Sequence, residues 1–133
     1  MLCAPDLAAQ VKPTQPIVIK GLEAYRLNGT DSALSVWVAG WAQADSGSRN
    51  ALRESLRQVE AASGRFVGPD IVATAEAGSG FSRVFVVMRY ESRPLFARFD
   101  VYRPESDWKL VAITWHTNAN EVWPTELLLP RTR

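Results

Sequence analysis

Hydrophobic and polar positions alternate along three neighbouring stretches between residues 81 and 117. The stretches read FSRVFVVMRYE, LFARFDVYR and WKLVAITWHT, and two short turn-like breaks separate them. Alternation with a period of two, in runs rich in β-branched and aromatic residues, is typical of β-strands with one buried face. The pattern therefore predicts a three-stranded antiparallel meander.

The pairing of the first two strands of the meander follows from which face can be buried. If Ser92 and Arg93 close a tight hairpin, every cross-strand pair on one face is apolar or nearly so. A slip of one residue would bury Arg89, Arg98 and Asp100, which is costly for charged side chains. The predicted core face carries Tyr90, Met88, Val86 and Val84 opposite Leu95, Ala97, Phe99 and Val101, and the outer face carries Arg83, Phe85, Val87 and Arg89 against Phe96, Arg98, Asp100 and Tyr102.

The face assignment of the last strand depends on the length of the loop before it. A four-residue loop predicts a core face of Leu110, Ala112, Thr114 and His116, with Val111, Ile113 and Trp115 on the outer face. A loop one residue longer or shorter exchanges the two sets. The side of the sheet on which His116 lies therefore depends on the loop.

The chain before the meander shows helical spacing. Residues 16 to 28 predict a first helix, Thr30 or Asp31 can cap a second, and residues 49 to about 63 predict a third that ends at Gly64. The apolar stripes are Ile17, Ile19, Leu22 and Tyr25 in the first helix, Leu34, Trp37, Val38 and Trp41 in the second, and Leu52, Leu56 and Val59 in the third.

A further strand is predicted over residues 70 to 76, before a Gly-Ser-Gly turn into the meander. Helices followed by antiparallel strands indicate an α+β fold, with three N-terminal helices packed on the apolar face of a four-stranded antiparallel sheet. We expect residues 1–15 to be a flexible segment and residues 16–133 to be a single domain. Residues 1–10 have the small-residue end of an export signal without its basic and apolar regions. The location of the protein, cytoplasmic or periplasmic, therefore stays open.

The composition of the chain narrows the classes of function. Its 133 residues are 47% hydrophobic and 22% charged with a net charge of +1, which suits one globular domain and argues against a nucleic-acid footprint. Cys3 is the only cysteine and His116 the only histidine, so an internal disulfide is excluded and a transition-metal site is disfavoured. No apolar run is long enough to predict a membrane span. We expect no cofactor and no metal.

Three stretches carry a resemblance to a known family. They are Tyr-Arg-Leu-Asn-Gly-Thr-Asp between the first two helices, the Gly64–Pro69 joint and VVMRYESRPLFARFDVYRPESDWKLVAITWHTN. Over roughly residues 17 to 117 the chain resembles small bacterial members of the nuclear transport factor 2-like superfamily. The resemblance implies a curved sheet in the cone-shaped, cystatin-like α+β fold shared with ketosteroid isomerases and SnoaL-like proteins. That superfamily includes enzymes, binding modules and scaffolds, so the resemblance alone implies no single activity.

The resemblance also indicates where catalytic groups would lie. In isomerases and dehydratases of the superfamily, a carboxylate or histidine inside the cone acts as the base, often with a tyrosine that donates to the developing oxyanion. Here Asp100 falls on the outer face beside Arg98, where we expect an ordinary ion pair, and no carboxylate falls on the predicted core face. The candidate base is therefore His116, with Tyr90 or Asn118 to orient it. A hydrogen-bonded residue at a strand end is the favoured interpretation of this histidine.

Aromatic residues on the predicted helices and strands could line a cavity in the cone, although aromatic residues at such spacing more often belong to a plain core. The residues predicted to line a pocket are Tyr25, Trp37, Trp41, Phe66, Met88, Tyr90, Phe99 and His116. Three functions follow as hypotheses. The first is non-catalytic binding of a small apolar ligand or a protein partner, the alternative is an isomerase or dehydratase that uses His116, and the third is an interaction module with a filled core.

Aromatic side chains among charges on the outer face predict a homodimer. An apolar patch of that size is rarely left in water by a monomer. The residues predicted for this dimer face are Phe85, Phe96, Arg98, Tyr102 and Trp115.

Overall fold

The computed structural model describes residues 16–39 and 46–128 and shows an α+β fold, as predicted. The described elements are the helices α1 (Pro16–Asn28), α2 (Thr30–Ala39) and α3 (Ser46–Ser63), the strands β1 (Phe66–Ala77), β2 (Phe81–Tyr90), β3 (Pro94–Tyr102) and β4 (Lys109–His116), and the short 3-10 helices Ala119–Glu121 and Thr125–Leu127. The four strands form an antiparallel sheet in the order β1-β2-β3-β4. The predicted flexible segment, residues 1–15, and the predicted pocket residue Trp41 lie outside the described residues.

The helices begin and end close to the predicted positions. The bounds of α1 are those expected, because Gly29 at φ 98° ends the helix and donates its N–H to the carbonyl of Tyr25 at 3.0 Å. α3 begins three residues before the predicted start and ends before Gly64, which also has a positive φ. No helix of the described residues is long and apolar enough to cross a membrane.

β1 begins at Phe66, four residues before the predicted start. The sequence Gly68-Pro69 reads as a turn, but the strand continues through it with an irregularity in its pairing between Phe66 and Gly68. Proline lacks a backbone donor and is tolerated where a strand has no neighbour on one side. β1 is such an edge strand in the sheet order.

The pairing of β2 with β3 differs from the prediction by two residues. Met88 lies opposite Leu95 instead of Ala97, because the chain turns over residues 90–93 and not over two residues alone. The N–H groups of Glu91 and Ser92 donate to the carbonyls of Arg65 and Ser63, at 3.0 and 2.8 Å, and these bonds tie the loop to the end of α3. A shift of two keeps each side chain on its face, so the predicted faces of both strands are retained.

The predicted faces of β4 are wrong beyond Leu110. The register passes from Val101 opposite Leu110 to Asp100 opposite Ala112, and the residue skipped is Val111. An extra residue of this kind is a β-bulge, which exchanges the faces of all the residues after it. Ile113 and Trp115 therefore face the helices, while Ala112, Thr114 and His116 share the outer face with Asp100, Arg98 and Phe96.

The main core lies between the helices and the sheet. Its centre includes Trp37 of α2 and Phe99 of β3, whose ring centroids are 5.2 Å apart, and both are fully buried. Trp115, which the sequence placed on the outer face, packs at the edge of this core and donates its indole N–H to Ser55 of α3 at 2.9 Å. Each helix thus contributes to covering one face of the sheet.

A second apolar cluster covers part of the opposite face of the sheet. Phe85 is only 5% exposed there, because Val122 and Trp123 from the segment after β4 pack over it. The Trp123 ring meets Phe96 edge-on at 5.1 Å and donates its N–H to the carbonyl of Ala97 at 3.1 Å. The patch that predicted a dimer is therefore covered in large part by the chain itself. Of the predicted dimer residues, Tyr102 is exposed, Phe96 and Arg98 are partly buried, and Trp115 faces the helices.

Candidate functional site

A cleft of about 530 Å³ opens where the C-terminal ends of α1 and α3 come together. Gly29 and Gly64 each follow one of these helices, and neither has a side chain to fill the space between the helix ends. The cleft is lined by Tyr25, Arg26, Gly29, Glu60, Gly64, Arg65 and Phe66. Two helix ends, one strand start and a carboxylate thus meet at one place.

The apolar wall of the cleft is aromatic. Tyr25 continues the buried stripe of α1, seven residues after Val18 and three after Leu22, and its ring stacks on Phe66 at 4.4 Å with 9° between the planes. Tyr90, at the end of β2, lies behind this pair with its ring 5.4 Å from that of Phe66. The stack is nearly buried, and the small exposed parts of Tyr25 and Phe66 form one side of the cleft.

Hydroxyl groups from three elements point towards Glu60 of α3. The Tyr25 hydroxyl donates to Oε2 of this carboxylate at 2.5 Å, and the Thr30 hydroxyl donates to the same oxygen at 3.0 Å. The Tyr90 hydroxyl lies 2.8 Å from that of Tyr25. Since Tyr25 uses its only proton on Glu60, Tyr90 is the donor in this second bond. The result is a directed chain from Tyr90 through Tyr25 to the carboxylate.

Both tyrosines in this chain of hydrogen bonds resist ionisation. Burial is the largest cause that raises the pKa of Tyr25, and the neighbouring Tyr90 and the hydrogen bond to Glu60 raise it further. Burial also raises the pKa of Tyr90. A neutral tyrosine keeps its proton as a hydrogen-bond donor, so the direction of the chain is maintained well above neutral pH.

The raised pKa values of Tyr25 and Tyr90 predict that the domain loses stability at alkaline pH. Above the ordinary tyrosine pKa of 10.0, the unfolded chain releases protons that the folded chain retains. Stability therefore falls as the pH rises, by up to about 1.4 kcal/mol per pH unit for each tyrosine held neutral. Urea unfolding between pH 8 and pH 11 should show a shallower decline for the double variant Tyr25→Phe/Tyr90→Phe than for the wild type. Tyr102→Phe, which changes an exposed ring, should follow the wild type, and equal slopes for all three proteins would contradict the prediction.

The carboxylate of Glu60 has no ion-pair partner among the described residues. The two arginines that line the cleft pair elsewhere, Arg26 with Glu23 at 2.8 Å and Arg65 with Glu91 at 3.6 Å. Glu60 thus accepts two hydroxyl protons on one oxygen and forms no ion pair with a described residue, although Arg26 and Arg65 line the same cleft. Within residues 16–39 and 46–128, no three metal-ligating side chains cluster, so the cleft shows no metal-site pattern.

His116 lies away from this cleft. Its side chain is exposed at the end of β4, on the outer side of the sheet opposite Phe96, and its Nδ1 accepts the backbone N–H of Asn118 at 2.9 Å. Tyr90 is buried on the helix side. The histidine and the tyrosine therefore do not converge on a common point.

Asp100 pairs with Arg83 and not with Arg98, the partner expected from the sequence. The two bonds measure 2.7 and 3.1 Å, and the two-residue shift in register brings Arg83 directly opposite Asp100. Arg98 instead lies 3.5 Å from the Thr114 hydroxyl, and its buried Nε has no hydrogen-bond partner among the described residues. Asp100 is thus part of a bidentate ion pair on the outer face of the sheet and is not among the residues that line the cleft.

The other predicted pocket residues divide into two groups. Tyr25 and Phe66 line the cleft, and Tyr90 reaches it through its hydroxyl. Trp37, Met88 and Phe99 are fully buried in the main core. Sequence reasoning missed Glu60 and Thr30, although Glu60 follows Leu56 by four residues and so continues the apolar stripe of α3. A carboxylate on a buried stripe was the available signal.

Comparison with known proteins gives no relative for this chain: no family model, no curated protein and no solved structure matches it. The function must therefore be argued from the geometry of the cleft.

Proposed function

We propose that this chain is a non-catalytic binding domain that takes a small, largely apolar ligand into the cleft between α1 and α3. The observation that carries the proposal is the convergence of an aromatic wall and a hydrogen-bonded carboxylate on one open space of about 530 Å³. Small-molecule sites combine a mostly apolar lining with a few polar groups that fix orientation. Glu60 supplies the polar anchor here, and the Tyr25–Phe66 stack supplies the apolar wall.

The fold part of the proposal is a cone-shaped domain of the nuclear transport factor 2-like superfamily. The order of elements supports it, with helices first, an antiparallel meander afterwards, and the helices on one face of the sheet. The centre of the domain is packed around Trp37, Met88 and Phe99, so the proposed ligand lies at the end of the helices and not among these three side chains.

The alternative, an isomerase or dehydratase that acts through His116, has less support. A general base needs a partly desolvated position and a second group that acts on the same substrate atom. The exposed imidazole is bonded to the backbone of Asn118, and Tyr90 lies on the other side of the sheet. The homodimer stays a prediction. The apolar surface left for it is smaller than expected, since Phe85 is covered and Tyr102 remains exposed.

A fragment screen by ligand-observed NMR tests the proposal. We expect hits that carry a small ring and a hydrogen-bond donor, and titration of isotope-labelled protein should shift the amide signals of Tyr25, Glu60 and Gly64. Tyr25→Phe keeps the ring but removes one of the donors to Glu60, so affinity should change several-fold. The control Tyr102→Phe removes a hydroxyl from the outer face and should leave affinity unchanged. Hits that shift amides elsewhere in the domain, or equal effects of both variants, would contradict the proposal.

A further inference from the structure

The position of Glu60 indicates the class of ligand as well as the place where it binds, because Glu60 forms no ion pair with any described residue. Each arginine at the rim already has its own carboxylate, Glu23 for Arg26 and Glu91 for Arg65. Glu60 has two donors on Oε2, and the hydrogen bonds of the described residues include none to Oε1. A group that both donates a proton and carries positive charge would satisfy this oxygen best.

The C-terminal end of α3 at the cleft favours the same kind of group. α1 has 13 residues and α3 has 18, and both direct their C-terminal ends at the cleft through Gly29 and Gly64. The aligned peptide dipoles of a helix place about half a negative charge at its C-terminus. The N-terminus of α2, which begins at Thr30 directly after Gly29, offsets the contribution of α1, and Arg26 and Arg65 at the rim are each paired with a carboxylate. The attraction for a cation therefore comes from the charge of Glu60 and the end of α3, and Tyr25 and Phe66 offer an apolar surface beside it.

We infer that the ligand of this cleft is a small organic amine in its protonated form, with the ammonium group on Glu60 Oε1 and an apolar ring against the Tyr25–Phe66 wall. The inference rests on the proposed function and names its ligand class. Three O–H groups already surround Oε2, directly or through Tyr25, and they hold the carboxylate in place for the ammonium. A carboxylate on the ligand would instead be repelled by the charge of Glu60.

Matched pairs of amines and alcohols provide the test. Benzylamine and benzyl alcohol have nearly the same shape, as do phenethylamine and 2-phenylethanol, but only the amines are cations at neutral pH. Calorimetric titration of the wild type should show each amine binding about tenfold or more tightly than its alcohol, the scale expected of one charge-assisted bond. Glu60→Gln should bring the ratio close to one, while Glu54→Gln, an exposed carboxylate on the same helix, should preserve it.

Salt dependence gives a second measurement on the wild-type protein, which keeps the inference testable if Glu60→Gln folds poorly. Amine affinity should fall as sodium chloride is raised, and alcohol affinity should stay constant. Equal affinity of amine and alcohol, or binding of neither member of any pair, would overturn the amine inference. Neutral fragment hits that still shift the amides of the cleft would in that case preserve the proposed function, so the two failures are distinguishable.

Discussion

Trp123→Ala should reduce the free energy of unfolding by about 3–5 kcal/mol, the range for removing a large buried aromatic side chain. Trp123 is 8% exposed, meets Phe96 edge-on and bonds to the carbonyl of Ala97, so its loss removes packing and a hydrogen bond together. It also uncovers Phe85. Small domains are stable by only about 5–15 kcal/mol, so a large share of the total is at stake.

Urea unfolding followed by circular dichroism measures this loss. Tyr102→Ala is the matched control, since it removes an aromatic ring that is 46% exposed on the same face of the sheet. We expect the control to cost less than about 1 kcal/mol. Trp123→Phe should lie between, because it keeps a ring but loses the bond to Ala97. If Trp123→Ala cost no more than Tyr102→Ala, the segment after β4 would not cover the sheet as described.

Gly21→Ala should destabilise the domain although alanine is the better helix former. A Cβ at this position of α1 would lie 1.8 Å from Nε1 and 2.4 Å from Cδ1 of Trp37, which is fully buried and has little room to move. Helix propensity favours alanine over glycine by about 1 kcal/mol. Overpacking a core costs about 1–3 kcal/mol, and a contact this short lies at the upper end, so we expect a net loss.

A double-mutant cycle isolates the contact between α1 and α2. Trp37→Phe makes space beside residue 21 and removes an indole N–H that has no hydrogen-bond partner within residues 16–39 and 46–128. The combined variant Gly21→Ala/Trp37→Phe should therefore lose less free energy of unfolding than the two single variants lose together, by at least about 1 kcal/mol. Additive effects, or a stabilising Gly21→Ala, would show that the two helices do not approach each other at this glycine.

The sequence predicted the elements better than their pairing. Flanking Pro16 and Gly29 mark the bounds of α1, and the apolar alternation of β2 and β3 defines the correct faces. The two-residue shift between these strands leaves every face unchanged, so hydrophobicity alone cannot detect it. The bulge at Val111 lies in a run that is apolar at nearly every position, and such a run does not reveal which residue is extra. His116 and Trp115 exchanged faces for that reason.

The sequence could not predict the covering of the outer face or the complete cleft, for different reasons. Val122 and Trp123 stand in a short segment before Pro124, too brief for a period that would place them on the sheet. The cleft needs Tyr25, Glu60 and Tyr90, which are 35 and 65 residues apart in the two bonds that join them. The sequence predicted Tyr25, Phe66 and Tyr90 as pocket residues but missed Glu60, whose partners depend on how the helices pack.

A crystal structure of the protein bound to the strongest fragment hit tests the central claim most directly. We expect ligand density in the cleft between the ends of α1 and α3, with a donor atom of the ligand within hydrogen-bond distance of Glu60 Oε1 and its ring against Tyr25 and Phe66. Density among Trp37, Met88 and Phe99, on the outer face beside Tyr102, or at His116 would contradict the account.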